Sequence, residues 1–261
     1  MSMLHENRLS EIFRSSRKKL SIYLTAGYPK LQDTVPLLEI LQNSEIDFVE
    51  IGIPFSDSIM DGPVILHSHQ VALENGMTID LLFDQLAEIR DYISIPIVLM
   101  GSMNPVYQYG FEKFCRQCGK IGIDGLLLPD LPLIEFKRHY STFYRQNNLA
   151  SVFMISPQTS EERLAQIDEA TEGFLYAVSS SSTTGASNKM EDSQSYFEQL
   201  QIRNFRNPVV VGFNIKTKED ISFVNQYVDG VIVGSAFVQI LEGGFDQERI
   251  VEFIAGLKGC Q

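Results

Sequence analysis

Glu50 closes a run of branched and aromatic residues, Ile46, Phe48, Val49 and Ile51, that reads as a β-strand. Strand side chains alternate between faces, and Glu50 shares its parity with Ile46 and Phe48. If those two point into a core, the carboxylate does too, and a carboxylate there needs a reason. Gly52, Pro54, Gly62 and Pro63 then break regular structure around Ser56, Asp57 and Asp61. A strand-end carboxylate followed by a punctuated acidic loop is a place for chemistry; the alternative is an ordinary loop with acidic turn residues. A second group suits an anion. Gly234 and Ser235 precede a short helical stretch, 236–241, whose free N–H groups can take a phosphate. Gly212-Phe213-Asn214 and Thr184-Gly185-Ala186 follow the two strands before it. Three such loops in consecutive positions point to a phosphate cradle more strongly than one Gly-Ser pair does.

These residues need strands to carry them. Apolar runs at 19–26, 46–51, 96–100, 122–128, 150–155, 173–178, 207–212 and 229–233 read as eight strands. Helical patterns fall between them at 34–43, 79–92 (N-cap Thr78), 111–120, 133–146, 161–170 (capping box Thr159 and Glu162), 191–204, 218–225 and 245–257. An extra amphipathic helix, 4–14, precedes the first strand. Continuously apolar strands alternating with helices predict a parallel sheet buried on both faces. Eight strands in 261 residues favour one closed (β/α)₈ TIM barrel spanning 1–261 over a doubly wound open sheet.

In such a barrel the strand ends form one face, where chemistry sits. Tyr23, Thr25, Asn104 and Asp130 join Glu50, Asp61 and the cradle there. Tyr176 has the parity of Phe174 and Val178 and is expected in the mouth beside Glu50. The serine-rich stretch 179–190 reads as a mobile lid rather than an idle surface loop.

Composition narrows the partners. A formal net charge of −12 argues against nucleic acid or an anionic membrane, but leaves room for a phosphorylated small ligand. Three cysteines, a polar start without an apolar h-region, and no apolar run near about 18 residues predict a soluble cytoplasmic protein. Cys115 and Cys118 share one face of a predicted helix with no second pair for zinc, so they read as structural. His67 and His69 lack acidic or cysteine partners at metal spacing.

The chain resembles the tryptophan synthase α subunit family along nearly its whole length. The resemblance runs through Tyr23-Leu-Thr-Ala-Gly27, Glu50-Ile-Gly-Ile-Pro-Phe-Ser-Asp57, Asp61-Gly-Pro63, Pro129-Asp-Leu-Pro132, Ser156-Pro-Gln-Thr159, Tyr176-Ala-Val-Ser179, Thr184-Gly-Ala186 and Gly234-Ser-Ala236. It implies a TIM barrel that cleaves indole-3-glycerol phosphate to indole and glyceraldehyde 3-phosphate. By resemblance Glu50 is the acid/base, Asp61 the partner of the indole nitrogen and Tyr176 an assisting group. Tyr23, Thr25, Met100, Thr184, Gly185, Phe213, Asn214, Gly234 and Ser235 are implied to hold substrate and phosphate. No cofactor is implied in this chain; pyridoxal phosphate belongs to the β partner of an α₂β₂ heterotetramer. The alternative role is a weakly active subunit that activates that partner.

Three departures stand out. The family's Ser-Asp-Pro-[LV]-Ala-Asp is Ser56-Asp57-Ser58-Ile59-Met60-Asp61 here, which is expected to loosen the loop and alter the surface turned to the β subunit. Its Gly-Phe-Gly is Gly212-Phe213-Asn214, and its lid glycine and arginine are replaced by Ser182 and Ser180.

Overall fold

Strand β1 (Lys19–Thr25) pairs in parallel with β2 (Phe48–Gly52) on one side and with β8 (Gly230–Val233) on the other, and the second pairing closes the sheet. Between them run β3 (Ile97–Met100), β4 (Gly125–Leu127), β5 (Ala150–Ile155), β6 (Leu175–Ala177) and β7 (Val209–Val211), each parallel to its neighbours in chain order. The protein is thus the eight-stranded barrel that the apolar runs predicted, seen in a computed structural model describing residues 7–58, 60–178 and 193–259.

The interior is layered. Phe48 on β2 and Phe174 before β6 meet across the barrel with ring centroids 5.3 Å apart, and Phe13 packs 6.1 and 6.0 Å from them. Those rings form an aromatic floor. One strand step above them, by the period of two, stand Glu50 and Tyr176. Register places Tyr23 beside Glu50 on the neighbouring strand. The floor is held from below by α1 (Arg8–Ile12), whose leading Asn7 donates to the Asp124 carbonyl at 2.7 Å. Arg8 and Arg90 both pair with the Asp124 carboxylate, at 3.0 and 2.7 Å.

Around the barrel lie α2 (Thr34–Asn43), α3 (Pro63–Glu74), α4 (Ile79–Leu86), α5 (Met103–Tyr109), α6 (Phe111–Ile121), α7 (Leu133–Glu135), α8 (Ser141–Gln146), α9 (Glu161–Ala170), α10 (Gln194–Ile202), α11 (Lys218–Val224), α12 (Ser235–Ile240) and α13 (Gln247–Lys258). Several differ from expectation. The first helix is short, capped by an Asn7–Ser10 box. Segment 64–74, given no element above, is helical from Pro63, whose missing N–H costs nothing at a first helical position. The expected helix 79–92 stops at Leu86 and continues as a 3₁₀ turn, Ile89–Asp91. The loop after β3 contains α5, whose Met103 N–H donates to the Asp130 carboxylate. Helix 133–146 is split by a π turn, Phe136–Tyr140. Helix α9 is capped by Ser160, not by a Thr159 box; Thr159 Oγ1 instead accepts from Ser156 N. The strands expected at 122–128, 173–178 and 207–212 are trimmed to three residues each. Among the described residues no helix is long and apolar enough to cross a membrane.

Candidate active site

Glu50 is fully buried, as its parity predicted, and among the described residues neither carboxyl oxygen has a hydrogen-bond partner. An unpaired buried carboxyl is costly, so the fold sustains it against a penalty. It opens into a cavity of about 390 Å³ that is also lined by Tyr23, Asp61, Met100, Tyr176, Phe213, Asn214, Gly234 and Ser235. The structure therefore brings together, from β1, β2, β3, β6, β7 and β8, most of the residues singled out from sequence. Thr184, Gly185 and the lid stretch 179–190 lie outside the described residues.

Two tyrosines flank the carboxyl in parallel fashion. Tyr23 lies over Gly52 and Tyr176 over Gly212; a Cβ on either glycine would sit 1.9 Å from the phenolic oxygen. Only glycine permits that approach. Tyr176 donates its hydroxyl proton to the Gly212 carbonyl at 3.2 Å. Tyr23 reaches His69 Nε2 at 3.0 Å. Thr25 is fully buried behind Tyr23 and does not line the cavity: its hydroxyl lies 2.6 Å from Ser68 Oγ and 3.3 Å from the Tyr23 hydroxyl.

Asp61 sits at the cavity edge, tied by the Ser58 hydroxyl, which donates to Oδ2. Ser58 stands where the family has proline, and the loosening expected of that exchange is countered by a direct hold on Asp61. Asn104 and Asp130 are not with Glu50. They line a neighbouring space of about 290 Å³ that shares Tyr23, Asp61 and Met100 with the Glu50 cavity. Asn214 adopts φ +60°, a left-handed conformation that asparagine tolerates better than most side chains. Lys216, Gln239 and Ile65, none of them singled out above, also line the Glu50 cavity. His67 and His69 do not act as a pair: His67 is exposed and His69 buried. Among the described residues no group of three His, Cys, Asp or Glu side chains could hold a metal. Cys115 and Cys118 are buried in α6, and burial pushes the Cys115 thiol up to about 12.

The comparisons with known proteins bear on this geometry directly. The family model described as tryptophan synthase alpha chain matches residues 9–255. The chain belongs to the tryptophan synthase alpha chain family. A tryptophan synthase alpha chain from Flavobacterium psychrophilum is 46% identical over 236 residues, covering 90% of this chain and 93% of the relative. The crystal structure of the tryptophan synthase alpha chain from Legionella pneumophila superposes with TM-score 0.87 at 32% identity, over 97% of this chain and 96% of that one. A chain of tryptophan synthase from M. tuberculosis, in an aminoacrylate-bound form, superposes with TM-score 0.83 at 31% identity, over 97% and 98% of the two chains. The tryptophan synthase alpha chain reaction is the lyase step that cleaves indole-3-glycerol phosphate to indole and glyceraldehyde 3-phosphate in tryptophan biosynthesis, and members of the family do not themselves carry pyridoxal phosphate.

Electrostatics in the cavity suit that reaction. Burial, and then the negative charge of Asp61, push the Glu50 carboxyl from its ordinary value up to about 8. Burial likewise holds the Tyr23 and Tyr176 hydroxyls well above their ordinary value, so both stay neutral donors or acceptors.

Proposed function

We propose that Glu50, Asp61 and Tyr176 carry the retro-aldol cleavage in this chain. The observation behind the reading is the buried, unpaired Glu50 carboxyl facing a cavity edged by Asp61. Protonated Glu50 donates to indole C3. Positive charge then grows on the indole nitrogen, where the Asp61 carboxylate stabilises it. The carboxylate of Glu50 next takes the proton of the glycerol 3′-hydroxyl as the C3–C3′ bond breaks, giving the aldehyde and indole and restoring the acid. Tyr176, fixed on Gly212, walls the side of the cavity and assists. The phosphate takes the end formed by Gly185, Phe213, Asn214, Gly234 and Ser235, with Thr184 beside it. Lys216 supports that polarity, being the one lysine or arginine lining the cavity among the described residues. Tyr23 and Met100 bound the indole end, and Thr25 supports Tyr23 from behind.

The lyase needs no cofactor in this chain. Its partner is the β chain of tryptophan synthase in a cytoplasmic α₂β₂ assembly, where pyridoxal phosphate resides. Met60, Tyr107 and Ile134 support this: they follow β2, β3 and β4 on the same rim and are 42%, 66% and 52% exposed. Exposed large apolar residues gathered on one rim suit a protein interface.

Steady-state release of indole from indole-3-glycerol phosphate by the isolated chain tests the activity. A chain that binds the substrate yet releases no indole would overturn the reading. The pH profile adds a signed expectation. The proton-donating form of Glu50 exists below its raised value and is lost as pH rises through it. Thus kcat/KM should be level near neutrality and fall on the alkaline side with a midpoint near pH 8. A profile that rises through pH 8 contradicts this order of proton transfers.

A further inference from the structure

We propose that His69, on α3, is a positioning residue for the reaction: its ring fixes the Asp61 loop and the Tyr23 ring around the reacting carboxyl. The proposal rests on the role given above to Asp61.

His69 is 4% exposed and its two ring nitrogens face different elements. Nδ1 lies 3.3 Å from the carbonyl oxygen of Phe55 and 3.9 Å from Asp61 Oδ2. Neither oxygen has a proton to give: one is a carbonyl, and the other already accepts from Ser58. Nδ1 therefore carries the hydrogen. Burial lowers the proton affinity of the ring, which leaves it neutral with Nε2 as an acceptor. The group facing Nε2, at 3.0 Å, is the Tyr23 hydroxyl, which must donate. Ser68 donates to the Ile65 carbonyl at 2.7 Å, so Thr25 donates to Ser68 and can only accept from Tyr23. The Tyr23 proton therefore has two acceptors, His69 Nε2 at 3.0 Å and Thr25 Oγ1 at 3.3 Å, and the shorter contact is the one to His69.

The ring thus joins three pieces of chain. Phe55 and Asp61 bracket the loop after β2, Tyr23 belongs to β1, and His69 rides on the helix that follows the loop. Phe55 is gripped at the front of the loop by His69, Asp61 at the back by Ser58. The loop needs both because it lacks the proline of the family pattern. A carboxylate that must meet a developing charge loses much of its effect when displaced by about 1 Å.

Steady-state indole release by the full chain tests this with three substitutions. In His69→Asn the amide nitrogen takes the place of Nδ1 and keeps the donor toward Phe55 and Asp61. In His69→Gln the amide lies nearer the place of Nε2, so Tyr23 keeps a partner but the loop does not. His69→Leu removes both. The expectation is that Leu and Gln lower kcat about tenfold or more with KM within about twofold, while Asn stays within about threefold of the parent. Added to Asp61→Asn, His69→Leu should cost almost nothing further, because its effect runs through Asp61. Equal losses in Asn and Gln, or losses that multiply with Asp61→Asn, overturn the proposal and leave the role of Asp61 standing. If Asp61→Asn alone keeps full turnover, the role of Asp61 falls and the proposal with it. Should His69→Leu fail to fold, the Asn and Gln pair still decides.

Discussion

Glu50→Gln is expected to lower kcat about a thousandfold while the inhibition constant of glycerol phosphate stays within about twofold. Glutamine fills the same volume above the Phe48 and Phe174 floor, so the cavity keeps its shape. It cannot release or accept the proton that has to reach C3 and leave the 3′-hydroxyl. The proposed phosphate end draws Phe213, Asn214, Gly234 and Ser235 from the loops after β7 and β8 rather than from β2, which is why binding should survive. A variant that keeps a tenth of parental turnover would show that another group moves the proton.

Asp61→Asn is expected to cost about a hundredfold to a thousandfold in kcat, the usual loss when a preorganised partner of transition-state charge is neutralised. Its melting temperature should change little, because an amide oxygen can still accept from Ser58. The substitution carries a second readout. Asp61 is one of the two causes that raise the Glu50 carboxyl. With its charge removed, the alkaline limb of the residual activity should move to lower pH. A loss of turnover with the limb unmoved would mean that Asp61 does not feel Glu50, and that the loss has a structural origin.

Strand-borne parts of the site were legible because alternation is a strong constraint. Parity placed Glu50 with Phe48 and Tyr176 with Phe174, and Glu50 and Tyr176 stand one layer above the aromatic floor that the two phenylalanines form. Helix α3 was not legible for a physical reason: its buried face carries Ser68 and His69 between Ile65 and Ala72, so apolar periodicity is broken where the site needs polar groups. Helix α5 has seven residues and buries only Val106, too little for a pattern. The π turn at Phe136–Tyr140 departs from the helical period itself. Thr25 carried strand parity, but parity says nothing about which way a hydroxyl bonds, and its partner Ser68 is 43 positions away. His69 was weighed as half of an H-x-H pair. Its actual partners, Tyr23 and Phe55, come from a strand and a loop that only the closed barrel brings to it.

The unpaired carboxyl of Glu50 also makes the folded chain a proton acceptor. In the unfolded chain this group ionises near 4.5, whereas in the closed barrel it holds its proton up to about 8. Folding between those values therefore draws a proton from solution. For a carboxyl whose folded value is raised, the contribution to stability is complete below the unfolded value and is lost as pH climbs through the folded one. The parent should lose stability relative to Glu50→Gln as pH rises from about 5 to 8, and the difference should approach a few kcal/mol at the upper end. Denaturant titrations of the two proteins at pH 5 and pH 8 check this, and equal midpoints at pH 8 would contradict it. On this view the inactive variant is the sturdier protein at pH 8, and most of the parent's loss of stability comes between about pH 5 and 8, before the proton that the reaction needs is drained from the folded site.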